Sequence, residues 1–208
     1  MTTLNKIRAG LKSLGRVATN VFALRFRSGI ALNLGAGGTR MGNYINVDSL
    51  LLRETDLLCE LQHLRWFVRD GSVSRMYASH VLEHFTVTEA LRILRIAHRL
   101  LERGGELRIS VPDFDKIATL YAANRTELLK KNPPSWLGVV YGGQSSRYDF
   151  HKTGFTAPRL HALLAEAGFS NIREYDAEEF LRPYGVRDSS LYTKDFGGPI
   201  SLNMVATK

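Results

Sequence analysis

The sequence predicts an α/β fold: a mostly parallel sheet of about seven strands with helices on both faces. Three observations carry that expectation. From Gly29 onward, apolar runs of strand length alternate with stretches of helical period, the pattern of a sheet covered on both sides. A glycine-rich turn directly follows the first apolar run, and an aspartate ends the second.

Taken in order, Ile30 to Leu34 reads as the first strand, Tyr44 to Val47 as the second, Leu57 to Leu61 as a weaker third and Val73 to Ser79 as the fourth. Thr86 and Glu89 have capping-box spacing ahead of Ala90, Leu91, Leu94, Ala97 and Leu101, which predicts a helix running to the Gly104-Gly105 stop. Glu106 to Val111 is the fifth strand, ended by Pro112. Residues 115 to 130 look helical, whereas Asn132 to Phe150 is rich in Pro, Gly and Ser and reads as an irregular segment of the kind that often carries function. Thr156 and Pro158 open a helix over Leu160 to Ala167, closed by Gly168; Ile172 to Tyr175 and Ser201 to Ala206 supply the last two strands.

Charge divides the chain. Residues 1 to 47 carry seven Lys or Arg and no acid, and the remainder balances 21 bases against 20 acids. The expected organisation is therefore a basic amphipathic arm over 1–28 and a nearly neutral domain over 29–208. Leu4, Ile7, Leu11, Leu14, Ala18 and Val21 recur at helical steps in the arm, so it can pack over the domain, lie on a membrane surface or contact nucleic acid. The near-neutral body argues against nucleic acid as the partner. No apolar run reaches the roughly 18 residues needed to span a bilayer, and no signal-peptide pattern opens the chain, so the expected location is the cytoplasm, with peripheral membrane contact through the arm. Cys59 is the single cysteine, which rules out an internal disulfide and a cysteine-headed zinc site.

The turn Leu34-Gly35-Ala36-Gly37-Gly38-Thr39 stands where a backbone must approach a ligand closely. Asp48, at the end of the second strand, can accept hydrogen bonds from two vicinal ribose hydroxyls, and the pair of features points to a nucleoside-containing cofactor. A dinucleotide site wants a third glycine where Arg40 stands. Only 13 positions separate Gly35 from Asp48, which leaves little room for a helix between them.

These residues, with the block Met76-Tyr77-Ala78-Ser79-His80-Val81-Leu82-Glu83-His84-Phe85, the run Leu100-Leu101-Glu102-Arg103-Gly104-Gly105 and Ala167-Gly168-Phe169, resemble the class I S-adenosylmethionine-dependent methyltransferases over roughly residues 29 to 206. The resemblance implies a Rossmann-like sheet, S-adenosylmethionine as cofactor and methyl transfer as activity. It places Gly35 and Gly37 beside the methionine and ribose, Asp48 on the ribose, and Glu60 and Leu61 where the adenine is read. His80 or His84 is expected to line the pocket at the carboxyl ends of the strands.

His80-Val81-Leu82-Glu83-His84 also spells H-x-x-E-H, an inverted metallopeptidase signature. That chemistry needs both histidines inside one long helix, and here they follow a predicted strand and precede the Thr86 cap, so zinc hydrolysis is set aside. Displacement at a sulfonium methyl requires no metal. It needs a base only where the acceptor must lose a proton. The candidates are Asp113, which follows the fifth strand and could equally cap the next helix, and His151 in the irregular segment. The SHVLEHF block and the late HKTGFT segment look similar to those of bacterial enzymes acting on sugars or glycan precursors, so a small-molecule or glycan acceptor is expected. A non-catalytic nucleoside-binding module is the competing class, and an RNA methyltransferase a weaker one.

Overall fold

The computed structural model describes residues 23–129, 135–191 and 199–208. Most of the arm lies outside them, so its expected helix and surface are not described. Leu24, in a 3-10 turn over Leu24–Phe26, is fully buried in the main core.

Among the described residues, seven strands form one sheet in the order β3-β2-β1-β4-β5-β7-β6. They are β1 (Ile30–Leu34), β2 (Ile45–Asp48), β3 (Leu57–Leu58), β4 (Val73–Ser79), β5 (Leu101–Pro112), β6 (Ser170–Glu174) and β7 (Ser201–Thr207). β1 through β5 pair in parallel, and β7 runs antiparallel between β5 and β6. The helices are α1 (Val87–Leu100), α2 (Phe114–Leu129), α3 (Ser135–Tyr141), α4 (Ala157–Glu166) and α5 (Ala177–Leu181).

Every residue of β1 is buried, as a central strand covered on both faces requires. Alternation then divides its side chains. Ile30, Leu32 and Leu34 join Met76 and Ala78 of β4 in the large core beneath α1 and α4, whereas Ala31 joins Tyr77, Tyr44, Met41 and Leu181 of α5 on the opposite face.

Several boundaries differ from expectation for local reasons. The capping box at Thr86 is formed, with the Glu89 amide on the Thr86 hydroxyl and the Glu89 carboxylate on the Thr86 amide. α1 nevertheless stops at Leu100, because Leu101 already pairs with Val73 of β4, and Gly104-Gly105 lie in the register shift that follows. β3 is cut to two residues by a 3-10 turn over Leu61–Trp66. The segment expected to be irregular over 132–150 contains α3, while 132–134 lie outside the described residues. α2 bends where Asn124 leaves helical geometry.

The connection from β1 to β2 holds turns and no helix. In its place runs a buried chain of hydrogen bonds. The Asn33 amide donates to Asn46 Oδ1 at 3.0 Å, the Met41 backbone N–H donates to the same oxygen at 3.2 Å, and the Asn46 amide donates to Asp56 Oδ2 at 2.8 Å. Arg40 closes the chain on Asp56 at 3.2 Å. Saturated hydrogen bonding of this kind is what lets polar side chains stay buried under a short loop.

Candidate active site

The carboxyl ends of β1, β2, β3 and β4 open on a cavity of about 550 Å³, within the size range of small-molecule sites. Gly35, Gly37, Asp48, Glu60, Leu61 and His80 all line it. The structure thus brings together, from four strand ends, every residue assigned to the cofactor by resemblance.

Each is held by its local backbone. Gly35 has φ +59°, and a Cβ built there would lie 2.5 Å from Cγ2 of Val81, so the first turn passes against the β4 end in a way that only glycine permits. The Gly37 N–H donates to Asp48 Oδ2 and the Leu50 N–H to Oδ1, both at 2.8 Å. These bonds fix the carboxylate, and each oxygen keeps acceptor capacity toward the cavity. Glu60 and Leu61 enter the 3-10 turn that ends β3, with Glu60 Oε2 accepting from the Gln62 amide at 3.3 Å. Burial, then the charge of Glu60, pushes the Cys59 thiol up to about 12, so this residue on the cavity wall is an inert thiol.

Two smaller cavities adjoin. One, of about 360 Å³, is lined by His80, His84, Pro112, Val139, His151 and Ser189 among others. The second, of about 240 Å³, lies between the glycine turn and Asp188. His80 lines all three.

His80 directly follows β4, which ends at Ser79, and has φ +52°, a left-handed conformation uncommon outside glycine. The Ser201 hydroxyl donates to the Ser189 carbonyl at 2.9 Å, so the 2.9 Å contact of His80 Nε2 with Ser201 Oγ has the imidazole as donor. Burial holds His80 down to about 4. In its neutral form Nδ1 then carries the lone pair, and it lies 3.4 Å from Oε1 of Glu83. Glu83 is fully buried, neither of its carboxylate oxygens has a hydrogen-bond partner, and burial pushes it up to about 8. A lone pair facing a carboxylate at that distance requires a proton or a cation between or beside them.

The loop from Tyr141 to His151 roofs the two larger cavities. The His151 N–H donates to the Tyr141 carbonyl at 3.0 Å, and Asp149 gathers the Gly143 N–H, the Ser145 N–H and the Ser145 hydroxyl on its carboxylate. Backbone N–H groups of Lys152 and Thr153 donate to the Glu83 carbonyl at 2.8 and 3.2 Å, tying the loop to the turn after β4. His151 consequently packs edge-on against His84, ring centroids 4.9 Å apart. Burial lowers both histidines below the ordinary imidazole range, which keeps them neutral and able to accept a proton or hold a ligand.

Asp113 is placed differently. Its Oδ1 accepts from the backbone N–H groups of Asp115 and Lys116 at 3.1 and 3.4 Å, and Lys116 Nζ is 3.4 Å from Oδ2. Its carboxylate caps α2, and it is not among the residues lining the three cavities. Of the two expected bases, only His151 meets the site. Sequence reasoning passed over Glu83, Asp149 and Asp188. Glu83 stands both in the H-x-x-E-H spelling and in the block that resembles the methyltransferases, and neither pattern by itself gives it a role.

No protein-family model matches the chain, and no curated protein matches it. The structure is similar to that of an S-adenosylmethionine-dependent methyltransferase from Archaeoglobus fulgidus, with a TM-score of 0.54 and 13% identity, covering 96% of this chain and 94% of that one. It is also similar to an S-adenosylmethionine-dependent methyltransferase from Thermotoga maritima described as a possible histamine N-methyltransferase, with a TM-score of 0.51 and 16% identity, covering 99% and 96%. At these identities the likeness is one of fold: the chain has the Rossmann-like α/β fold of these methyltransferases.

Proposed function

We propose that this protein is an S-adenosylmethionine-dependent methyltransferase acting on a small-molecule or glycan-precursor acceptor. The observation that carries the reading is the convergence of Gly35, Gly37, Asp48, Glu60, Leu61 and His80 on one cavity that adjoins a second, histidine-lined one. The first cavity fits a nucleoside with a cationic tail. Leu50, Leu52, Leu61 and Phe85 supply apolar wall, Asp48 and Glu60 supply carboxylates, and the bare Gly35 backbone supplies close approach. When bound, S-adenosylmethionine supplies a sulfonium methyl group open to in-line displacement.

The chain's own residues would then bind, orient and take up a proton. Asp48 is fixed to receive hydroxyl donors, and the loop held by Asp149 forms part of the cavity wall. His151, neutral and half-buried on the second cavity, is the group placed to accept a proton from a hydroxyl acceptor. The basic arm over 1–28 would favour an acceptor at an anionic membrane surface. Among the described residues no helix is long and apolar enough to cross a membrane.

Calorimetric titration with S-adenosylmethionine tests the reading. Asp48→Ala should weaken binding about tenfold to hundredfold, the loss of charge-assisted hydrogen bonds. Asp48→Asn, which keeps one acceptor oxygen for the loop, should lose less. Binding followed by formation of S-adenosylhomocysteine with sugar or glycan-precursor pools supports transfer. Binding without turnover on any acceptor supports the nucleoside-binding module instead, and no binding removes both.

A further inference from the structure

Glu83, His84 and His151 each bring one potential ligand atom within 4.8 Å of the other two; His84 and His151 line the 360 Å³ cavity, and Glu83 is buried beside them. Glu83 is fully buried and neither carboxylate oxygen has a hydrogen-bond partner, although His80 Nδ1 stands 3.4 Å from Oε1. An acid stripped of water and of donors is costly, and the usual resolutions are a proton or a bound cation. The histidines beside it are prepared for the second. Nδ1 of His84 faces the Phe150 carbonyl at 3.2 Å and Nδ1 of His151 faces the Val139 carbonyl at 2.9 Å. A carbonyl can only accept, so each Nδ1 carries hydrogen and the ring lone pair sits on Nε2, the arrangement by which backbone groups orient metal-binding imidazoles.

We propose that Glu83, His84 and His151 hold a divalent transition-metal cation of the zinc type. Two neutral imidazoles and one carboxylate suit zinc better than magnesium or calcium, which prefer oxygen donors. Three protein ligands also leave a coordination position open. This set differs from the H-x-x-E-H spelling. His80, engaged with Ser201, gives way to His151, which arrives from the roofing loop because the Glu83 carbonyl anchors Lys152 and Thr153. It also departs from the expectation that the chemistry needs no metal. With the ion bound, the Nε2 lone pair of His151 is committed to it, so the dication takes over the role given to His151 as base: it would lower the pKa of an acceptor hydroxyl seated against it, the proton leaving to water. That use of the ion rests on the methyl-transfer reading, whereas its binding does not.

The test is calorimetric titration of the full chain, stripped with EDTA and desalted, with zinc chloride and separately with magnesium chloride. One zinc per chain is expected, bound at least about a hundredfold more tightly than magnesium. His151→Ala and Glu83→Gln should each weaken zinc about a hundredfold or more, and His161→Ala, on α4, should leave it unchanged. Circular dichroism reports whether each variant is folded, and a parallel titration with S-adenosylmethionine tests the methyl-transfer reading separately. If Glu83→Gln fails to fold, the loop variant His151→Ala decides. No zinc binding, equal affinity for magnesium, or zinc retained in His151→Ala would overturn the site. Zinc bound with no S-adenosylmethionine bound would leave the site standing and remove the methyl-transfer reading.

Discussion

Gly35 concentrates several demands on one residue. Its φ of +59° is strained for any side chain, and a Cβ would meet the stiff, β-branched Val81 at 2.5 Å. Gly35→Ala should destabilise the fold by about 1–3 kcal/mol, the usual range for overpacking combined with left-handed strain. Val81→Ala in the same chain should recover part of that loss, since it relieves the contact and leaves the backbone strain. Urea unfolding of the two variants checks both points; a single variant with the wild-type midpoint would show that the turn can relax. Asp48 and the glycines were legible from sequence because strand, turn and acid lie within one short stretch. The pairing of Glu83 with His151 was not, since 68 positions of sequence separate them and only folding makes them neighbours.

At the scale of elements, Asp70 joins the turn after β3 to the end of α1. It accepts from Arg65 at 3.1 and 3.2 Å and from Arg99 at 3.1 and 2.9 Å. Partial burial would raise this carboxyl, but the hydrogen bonds and charges of Arg65 and Arg99 outweigh it and hold the group below the ordinary carboxylate range. A depressed folded value means that the stabilisation is complete above the unfolded carboxylate range and is lost as pH falls through the folded value. With its side chain 41% exposed, solvent screening limits the contribution to about 0.5–1 kcal/mol. Asp70→Asn should lower stability by that amount at neutral pH, and the difference from wild type should vanish in acid below the usual carboxylate range. Chemical denaturation at two pH values measures it; a difference that persists in acid would assign the effect to geometry and not to charge. Thr86→Ala removes the capping oxygen of α1 and should cost about 1 kcal/mol at neutral pH and less in acid, because the Thr86 N–H and hydroxyl hold the Glu89 carboxyl below its ordinary range and that part is lost when Glu89 is protonated; the same experiment reads it.

Secondary structure was legible where local chemistry was strong: β1, β4 and the Thr86 cap stand where periodicity and capping signals placed them. α3 escapes a sequence reading because it is one short run, Ser135–Tyr141, flanked by Pro133, Pro134, Gly142, Gly143, Ser145 and Ser146, which mark the whole segment as loop. The early end of α1 was missed because strand pairing at Leu101, a tertiary effect, overrode the glycine stop.

For the whole molecule, a ligand that binds only the folded chain adds stability by mass action. At a hundredfold excess over its dissociation constant, S-adenosylmethionine should add about 2.7 kcal/mol, or roughly 5 to 10 °C in thermal midpoint for a domain of this size. Differential scanning calorimetry reads the shift, and an unchanged midpoint in that excess would remove the cavity as a binding site. Sheet order could not be recovered from the sequence. Alternation of strand and helix predicts a parallel sheet, but nothing local announces that β7 runs antiparallel between β5 and β6.

That insertion orders assembly in time. During synthesis, the parallel half of the sheet can form while β5 keeps one side unpaired, and β6, made before β7, has no neighbour to join until β7 emerges. The nascent chain therefore carries an open strand edge through its last stage, a template for association with other chains. The contacts that finally cover it are among the most distant in sequence, with Glu106 opposite Thr207, so closure of the sheet belongs to the slow, non-local phase of folding.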